Sequence, residues 1–217
     1  MGNYKDSKLE VLARFGKGNF AYLDNENEAE KVLVKEFAQT VVSVANDVFL
    51  NLHFDDNCVE KHRLIGFDNK QEAVTDGNAV LESGEIGSGH SIMAMFEIKL
   101  NNNIKTDTLH INNQPLYLGK IRLQYKLPGD TQVQFIDKLV PLNYYPFNNL
   151  EKPLQFATSV TMLGQLLKLS KYSANYDFDE VINIARNAAA KGDFLQEEFI
   201  KLVEESKKLY SKEIKKK

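Results

Sequence analysis

Cysteine is almost absent: Cys58 is the one example in 217 residues. An internal disulfide is therefore excluded, as is a zinc cluster built on cysteines. A single thiol does not fix the compartment. Asp55 and Asp56 stand just before it, and negative charge raises a thiol pKa, which argues against a nucleophile. No apolar run reaches the roughly 18 residues that a membrane-spanning helix needs. Met1 to Asp6 lack the apolar centre of a secretory signal, and Asp6 stands where a myristoylation motif needs Ser or Thr. An excess of either charge is lacking too. With 27 basic and 30 acidic side chains the net charge is -3, which asks for neither nucleic acid nor an anionic membrane. The one basic run, Lys215 to Lys217, reads as a solvated terminus. There is no Gly-x-Ser-x-Gly elbow, no His-Glu-x-x-His, and no histidine pair at helical i, i+4 spacing.

What is present is a chain with 43% hydrophobic residues, enough to bury a sizeable core. Residues Ser7 to Arg14 read as a short helix and Phe20 to Leu23 as a short strand. Asp24 or Asn25 caps a second helix of about 20 residues, carrying Val32, Leu33, Phe37 and Val41 at helical spacing and fading near Asn46. Alternation then takes over. Val48 to Phe54, Cys58 to Phe67, Ser91 to Leu100, Tyr117 to Leu127 and Gln132 to Val140 read as strands, the last two joined by the Pro128-Gly129-Asp130 turn. Asp68 to Gly89 and Asn101 to Pro115 read mostly as loop, with brief pairing at Ala79 to Leu81. After Pro153 the period becomes 3.6. Leu154 to Ser170, Phe178 to Lys191 with Asp177 as its cap, and a third helix capped by Asp193 follow. Their apolar stripes carry Phe156, Val160, Leu163 and Leu167, then Val181, Ile182 and Ala185, then Phe199, Leu202, Val203 and Leu209.

Four features carry a chemical reading beside a plainer one. Gly84-Glu85-Ile86-Gly87-Ser88-Gly89 spaces its glycines as a phosphate loop does, but a strand follows it where a phosphate cradle needs a helix. The plainer reading is a Gly-permissive bend or bulge. The functional one is a backbone-lined pocket with Glu85, Gly87, Gly89 and His90. His53 and His62 meet across a hairpin if their strands pair, and Asp55 and Asp56 lie near enough for a surface metal site; solvated strand ends are the plainer account. Thr75-Asp76-Gly77 has the look of a metal loop and reads as a β-turn. Lys120, Arg122 and Lys126 alternate with Tyr117 and Tyr125, so cations and aromatics fall on opposite faces, unlike a nucleic-acid platform.

Gly2 to Glu10, Gly18 to Asn25 and Ala29 to Phe37 resemble the final helix-strand-helix of a von Willebrand factor type A (VWA) domain. His62 to Asn69, Gly84 to His90 and Glu198 to Val203 resemble the C-terminal region of one class of bacterial VWA proteins whose members often carry a lipoprotein signal. The resemblance implies a doubly wound α/β domain upstream. It also implies a divalent metal, Mg, held by an Asp-x-Ser-x-Ser loop with a Thr and an Asp. No Asp-x-Ser-x-Ser occurs in this sequence, so the expectation is a truncated fragment with no catalytic and no metal-ligating residues of its own.

The expected fold is α+β. Residues 1–46 are the VWA remnant, 47–150 an antiparallel β-sandwich, and 151–217 a three-helix appendage packed on the sandwich. The expected function is a non-enzymatic protein-interaction or structural module of a cell-envelope protein, periplasmic or anchored as an outer-membrane lipoprotein. The alternatives are a metal-dependent hydrolase using Glu85, His90 or the His53/His62 region, and an adaptor for a partner ATPase. Expected partners are proteins, with no nucleic acid and no transmembrane segment. Self-association through the orphaned N-terminal segment is a further expectation, because its apolar faces have little to pack on.

Overall fold

The structure is a computed structural model that describes residues 6–15, 21–23, 25–35, 37, 42–66, 74–75, 78–102, 104, 110–111 and 114–214. It is an α+β fold with antiparallel sheets followed by helices. Helix α1 spans Asp6–Phe15 and α2 spans Glu26–Glu30. Asn25 caps α2, its Oδ1 accepting from the Glu28 N–H at 2.9 Å. A π-helical turn, Lys31–Lys35, follows directly. Residues 21–23 belong to no strand, so the expected strand is not formed there; Phe20 and Val41 lie outside the described residues. The second helix does not continue to Asn46 either. Strand β1 begins at Ser43 and runs to Phe54, because residues 43–45 find partners at Gly87 and Ile86. Tertiary pairing overrides the local helical pattern, and the boundary drawn at residue 46 falls inside a strand.

The sheet region contains β1, β2 (Val59–Leu64), β3 (Val74–Thr75), β4 (Asn78–Gly87), β5 (Phe96–Leu100), β6 (His110–Ile111), β7 (Gln114–Pro115), β8 (Tyr117–Lys126) and β9 (Val133–Pro141). Five strands make the large sheet in the order β3-β4-β1-β8-β9, while β2 pairs with β5 and β6 with β7. The segment 68–89, expected mostly as loop, holds the ten-residue β4. Its glycines do not break the ladder. Gly84 takes φ +66° beside the register shift opposite Val48 and Phe49, and the bulge absorbs it. By contrast, the strand expected from Ser91 is formed only from Phe96. Its partner β2 ends at Leu64, opposite Phe96, and Gly66 then turns the chain at φ +92°. Ile92 and Met93 are accordingly exposed.

On one face of the large sheet, Leu50 and Leu52 stand opposite Leu123 and Ile121, and Phe54 points the same way. Phe54 touches the second sheet, its ring centroid 4.3 Å from that of His62 and 5.6 Å from that of Phe96. The strands come very close beside it. A Cβ on Gly119 would lie 2.0 Å from the carbonyl oxygen of His53.

Three helices close the chain: α3 (Lys152–Leu167), α4 (Phe178–Ala188) and α5 (Phe194–Ile214). Asp177 caps α4 by accepting from the Glu180 N–H at 3.0 Å, and Asp193 caps α5 by accepting from the Gln196 N–H at 3.2 Å. Leu163, Val181, Ile182 and Val203 form their shared core, with Met162, Leu166 and Phe199 packed against it. The α3 stripe differs from expectation: Val160 and Leu167 are exposed, and Gln155 and Ser159 are buried with Leu163. Ser159 tolerates burial because its hydroxyl donates to the Phe156 carbonyl at 2.6 Å. The helical region meets the β2–β5 pair and the residues flanking it at three points. Arg63 lies 3.6 Å over the Tyr172 ring, Lys168 Nζ donates to the Gly66 carbonyl at 2.9 Å, and the Thr161 hydroxyl lies 3.1 Å from Met95 Sδ. Among the described residues no helix is long and apolar enough to cross a membrane.

Candidate functional site

The glycine-rich segment ends β4 and turns away from the sheet. Gly87 pairs with Ser43. The Ser88 N–H donates to the Val42 carbonyl at 2.8 Å, and the His90 N–H donates to the Gly87 carbonyl at 3.1 Å. Gly89 takes φ +75°, a conformation that glycine adopts without penalty. Glu85 and His90 are both solvent-exposed. The backbone N–H groups of Ser88 and His90 are thus satisfied within the fold, and the plain reading of this segment as a bend accounts for its glycines.

His53 and His62 are not brought together. Phe54 stacks on His62, and adjacent strand residues point to opposite faces, so His53 projects to the other side of β1 and is exposed. His62 is partly buried, with burial holding its pKa below the usual value and Asp56 opposing that shift. Among the described residues no group of three or more His, Cys, Asp or Glu side chains is placed to hold a metal ion. Thr75 pairs with Asn78; Asp76 and Gly77, on which the turn reading falls, lie outside the described residues. The Cys58 thiol is buried, and burial followed by the charge of Asp55 pushes its pKa up.

The cations of β8 are engaged in ion pairs. Asp137 on β9 stands opposite Arg122 and accepts from its Nε at 2.7 Å and from its second guanidinium nitrogen at 2.8 Å. Lys120 Nζ lies 2.8 Å from the same carboxylate, and Lys126 Nζ lies 2.9 Å from Asp47 Oδ2. Hydrogen bonds from Arg122 and Lys120 hold the Asp137 carboxyl far below the ordinary carboxylate range. Three cations thus meet two carboxylates on this face, Asp137 being shared by Arg122 and Lys120.

Two further surfaces stand out, the first of which the sequence reading did not anticipate. An open depression of about 510 Å³ lies between α4 and α5 over Ile182, flanked by the Arg186–Glu204 and Lys207–Asp179 pairs, each at 2.5 Å. Its polar groups come from opposed helix faces, whose meeting no single helical pattern discloses. The other is apolar. Leu12 and Phe15 on α1 are 68% and 80% exposed, and Leu33, Val34 and Phe37 are 57%, 69% and 53% exposed. Exposure here agrees with the expectation that the apolar faces of this segment have little to pack on.

The chain is 29% identical over 215 residues to "Uncharacterized protein YfbK" of Escherichia coli (strain K12), an alignment covering 93% of this chain and 36% of that protein. The chain thus spans about a third of the length of that curated relative. No solved structure matches it. A family model matches residues 39–209, from the approach to β1 through most of α5. By that match, this chain belongs to the family described as "Uncharacterized protein YfbK, C-terminal".

Proposed function

We propose that this chain is a non-enzymatic interaction and structural module of a longer bacterial VWA protein of the cell envelope. The observation that carries the proposal is the exposed apolar surface of Leu12, Leu33 and Val34, which are 68%, 57% and 69% exposed. A large exposed apolar surface marks a binding face. A helical segment of this kind completes its core only against further elements. Residues 2–37 resemble the end of a VWA domain, and the family match begins at residue 39, beyond them. In this reading the rest of the VWA sheet lies upstream and covers that surface. It also supplies the metal loop and protein-ligand site, and residues 43–214 position it. The lipoprotein-type class suggests an envelope location.

The test is amide hydrogen exchange on residues 6–37, in this chain and in the full-length protein. The expected result is a large gain in protection in the full-length protein, with little change over β1–β9 and α3–α5. Equal exchange in both would overturn the reading.

A further inference from the structure

The edge of the large sheet has the features of a self-complementary interface. Strand β9 ends the order β3-β4-β1-β8-β9, and among the described residues it pairs with β8 alone. It is nine residues long and carries exposed apolar side chains on both faces: Phe135 55%, Ile136 52%, Leu139 51% and Val133 42%. A long apolar edge strand is a template for another strand. The sequence of β9 distinguishes among registers for a second copy. A two-fold axis normal to the sheet keeps each residue on its own face. With the axis through Ile136, Ile136 faces its copy, Leu139 faces Val133, Lys138 faces Gln134 and Asp137 faces Phe135. No like charges stand opposite one another. Moving the axis to Asp137 opposes two carboxylates, and moving it to Lys138 opposes two ammonium groups, both destabilising arrangements. An axis through Phe135 sets Leu139 against Thr131, which lies before the start of β9.

We propose that two copies of this chain associate by antiparallel pairing of β9 with β9, with Ile136 on the two-fold axis, joining two five-stranded sheets into one. Asp137 keeps its bonds to Arg122 and Lys120 within each protomer, and the Arg122 guanidinium, already 5.4 Å from the Phe135 ring, lies beside the seam. The contact is a short edge, small by the standard of stable complexes, so association is concentration-dependent.

Sedimentation velocity of the whole chain from about 1 to about 300 µM, the range that a small interface demands, reads the dimer directly. Ile136→Lys is expected to weaken dimerisation by about tenfold or more by opposing two cations on the axis, with an unchanged melting temperature because Ile136 is exposed in the protomer. In a Cys58→Ser background, Ile136→Cys is expected to cross-link to itself with a short bis-maleimide. Val133→Cys alone is not, because its copy lies roughly 20 Å away at strand spacing. A mixture of the Val133→Cys and Leu139→Cys chains is expected to cross-link. A monomer throughout, dimers indifferent to Ile136→Lys, or dimers abolished only by Leu12→Lys on α1 would each overturn the proposal. The last outcome would assign self-association to the N-terminal surface.

Discussion

The imidazole of His62 lies against the ring of Phe54, centroids 4.3 Å apart, and this pair joins the β2–β5 ribbon to the large sheet. His62 Nε2 is buried and has no hydrogen-bond partner among the described residues. Protonation would place a cation there without an acceptor, and burial accordingly holds the His62 pKa below the ordinary 6.5. In the unfolded chain His62 takes its proton near 6.5, whereas in the folded chain it does so only at lower pH. Stability is therefore full above that window and falls as pH drops through it. Thermal melts across this range are expected to show that loss, and His62→Phe is expected to remove it. A melting temperature equally pH-dependent in the variant would refute the assignment.

A separate acid window belongs to Asp137. Its carboxyl is held low by Arg122 and then by Lys120, so its contribution is present above the unfolded value near 3.8 and lost as pH falls below it. Asp137→Asn is expected to flatten the melt profile below about pH 4 while leaving the His62 window intact. Because the pair is solvent-exposed and surface pairs contribute little, the expected change near neutral pH is small.

Gly119 tests the closest approach in the sheet. Any Cβ there meets the His53 carbonyl at 2.0 Å, and the obstacle is backbone, which cannot rotate away. Gly119→Ala is expected to destabilise by about 3 kcal/mol or more in urea unfolding, at the upper end of overpacking effects. Gly164→Ala is the contrast: no atom lies within 4 Å of its added Cβ, it sits within α3, and alanine is the better helix former, so a gain of about 0.5–1 kcal/mol is expected.

These contrasts show what was legible in the sequence. Strands β8 and β9 and their turn followed from alternation and Pro128-Gly129-Asp130, and the caps at Asn25, Asp177 and Asp193 followed from residue type, because both signals are local. Of strand β4 only the brief pairing at Ala79 to Leu81 was legible. Its glycines resemble loop punctuation until β1 supplies a partner edge. Conversely, Ile92 and Ala94 alternate well, yet 91–95 form no strand because β2 stops at Leu64. The candidate site fared similarly. The glycines at 84 and 89 needed positive φ, as a bend requires, but whether His53 and His62 share a side depended on which face Phe54 presents. The exposed surface at Leu33 and Val34 was anticipated from the resemblance, which leaves the N-terminal segment little to pack on, whereas periodicity alone does not encode what packs nearby.

The helical core gives a test of which α5 stripe is structural. Val203 is fully buried among Leu163, Val181 and Ile182, whereas Leu202 is 54% exposed beside it. Val203→Ala is expected to cost about 2 kcal/mol from lost contacts and a residual cavity, and Leu202→Ala less than about 0.5 kcal/mol. A cost for Leu202 comparable to that for Val203 would place a second packed surface on this helix.

Arg63 makes one of the three contacts between the helical region and the β2–β5 ribbon. Its guanidinium lies over the Tyr172 ring at 3.6 Å and also reaches Glu97, Nε to Oε2 at 2.7 Å. A stacked guanidinium bonded to a carboxylate is geometry that lysine does not reproduce. Arg63→Lys is therefore expected to lose most of what Arg63→Ala loses. In a double-mutant cycle with Tyr172→Ala, the coupling energy is expected near 1 kcal/mol, the scale of a partly desolvated cation–π contact. Loosening this contact leaves the core of Leu163, Val181, Ile182 and Val203 intact. Hydrogen exchange is then expected to rise at 168–172 and along β2, while α4 and the buried turns of α5 keep their protection. Uniform loss of protection across all three helices would mean that the bundle depends on its docking, and the picture of a self-sufficient helical core resting on the ribbon would fail.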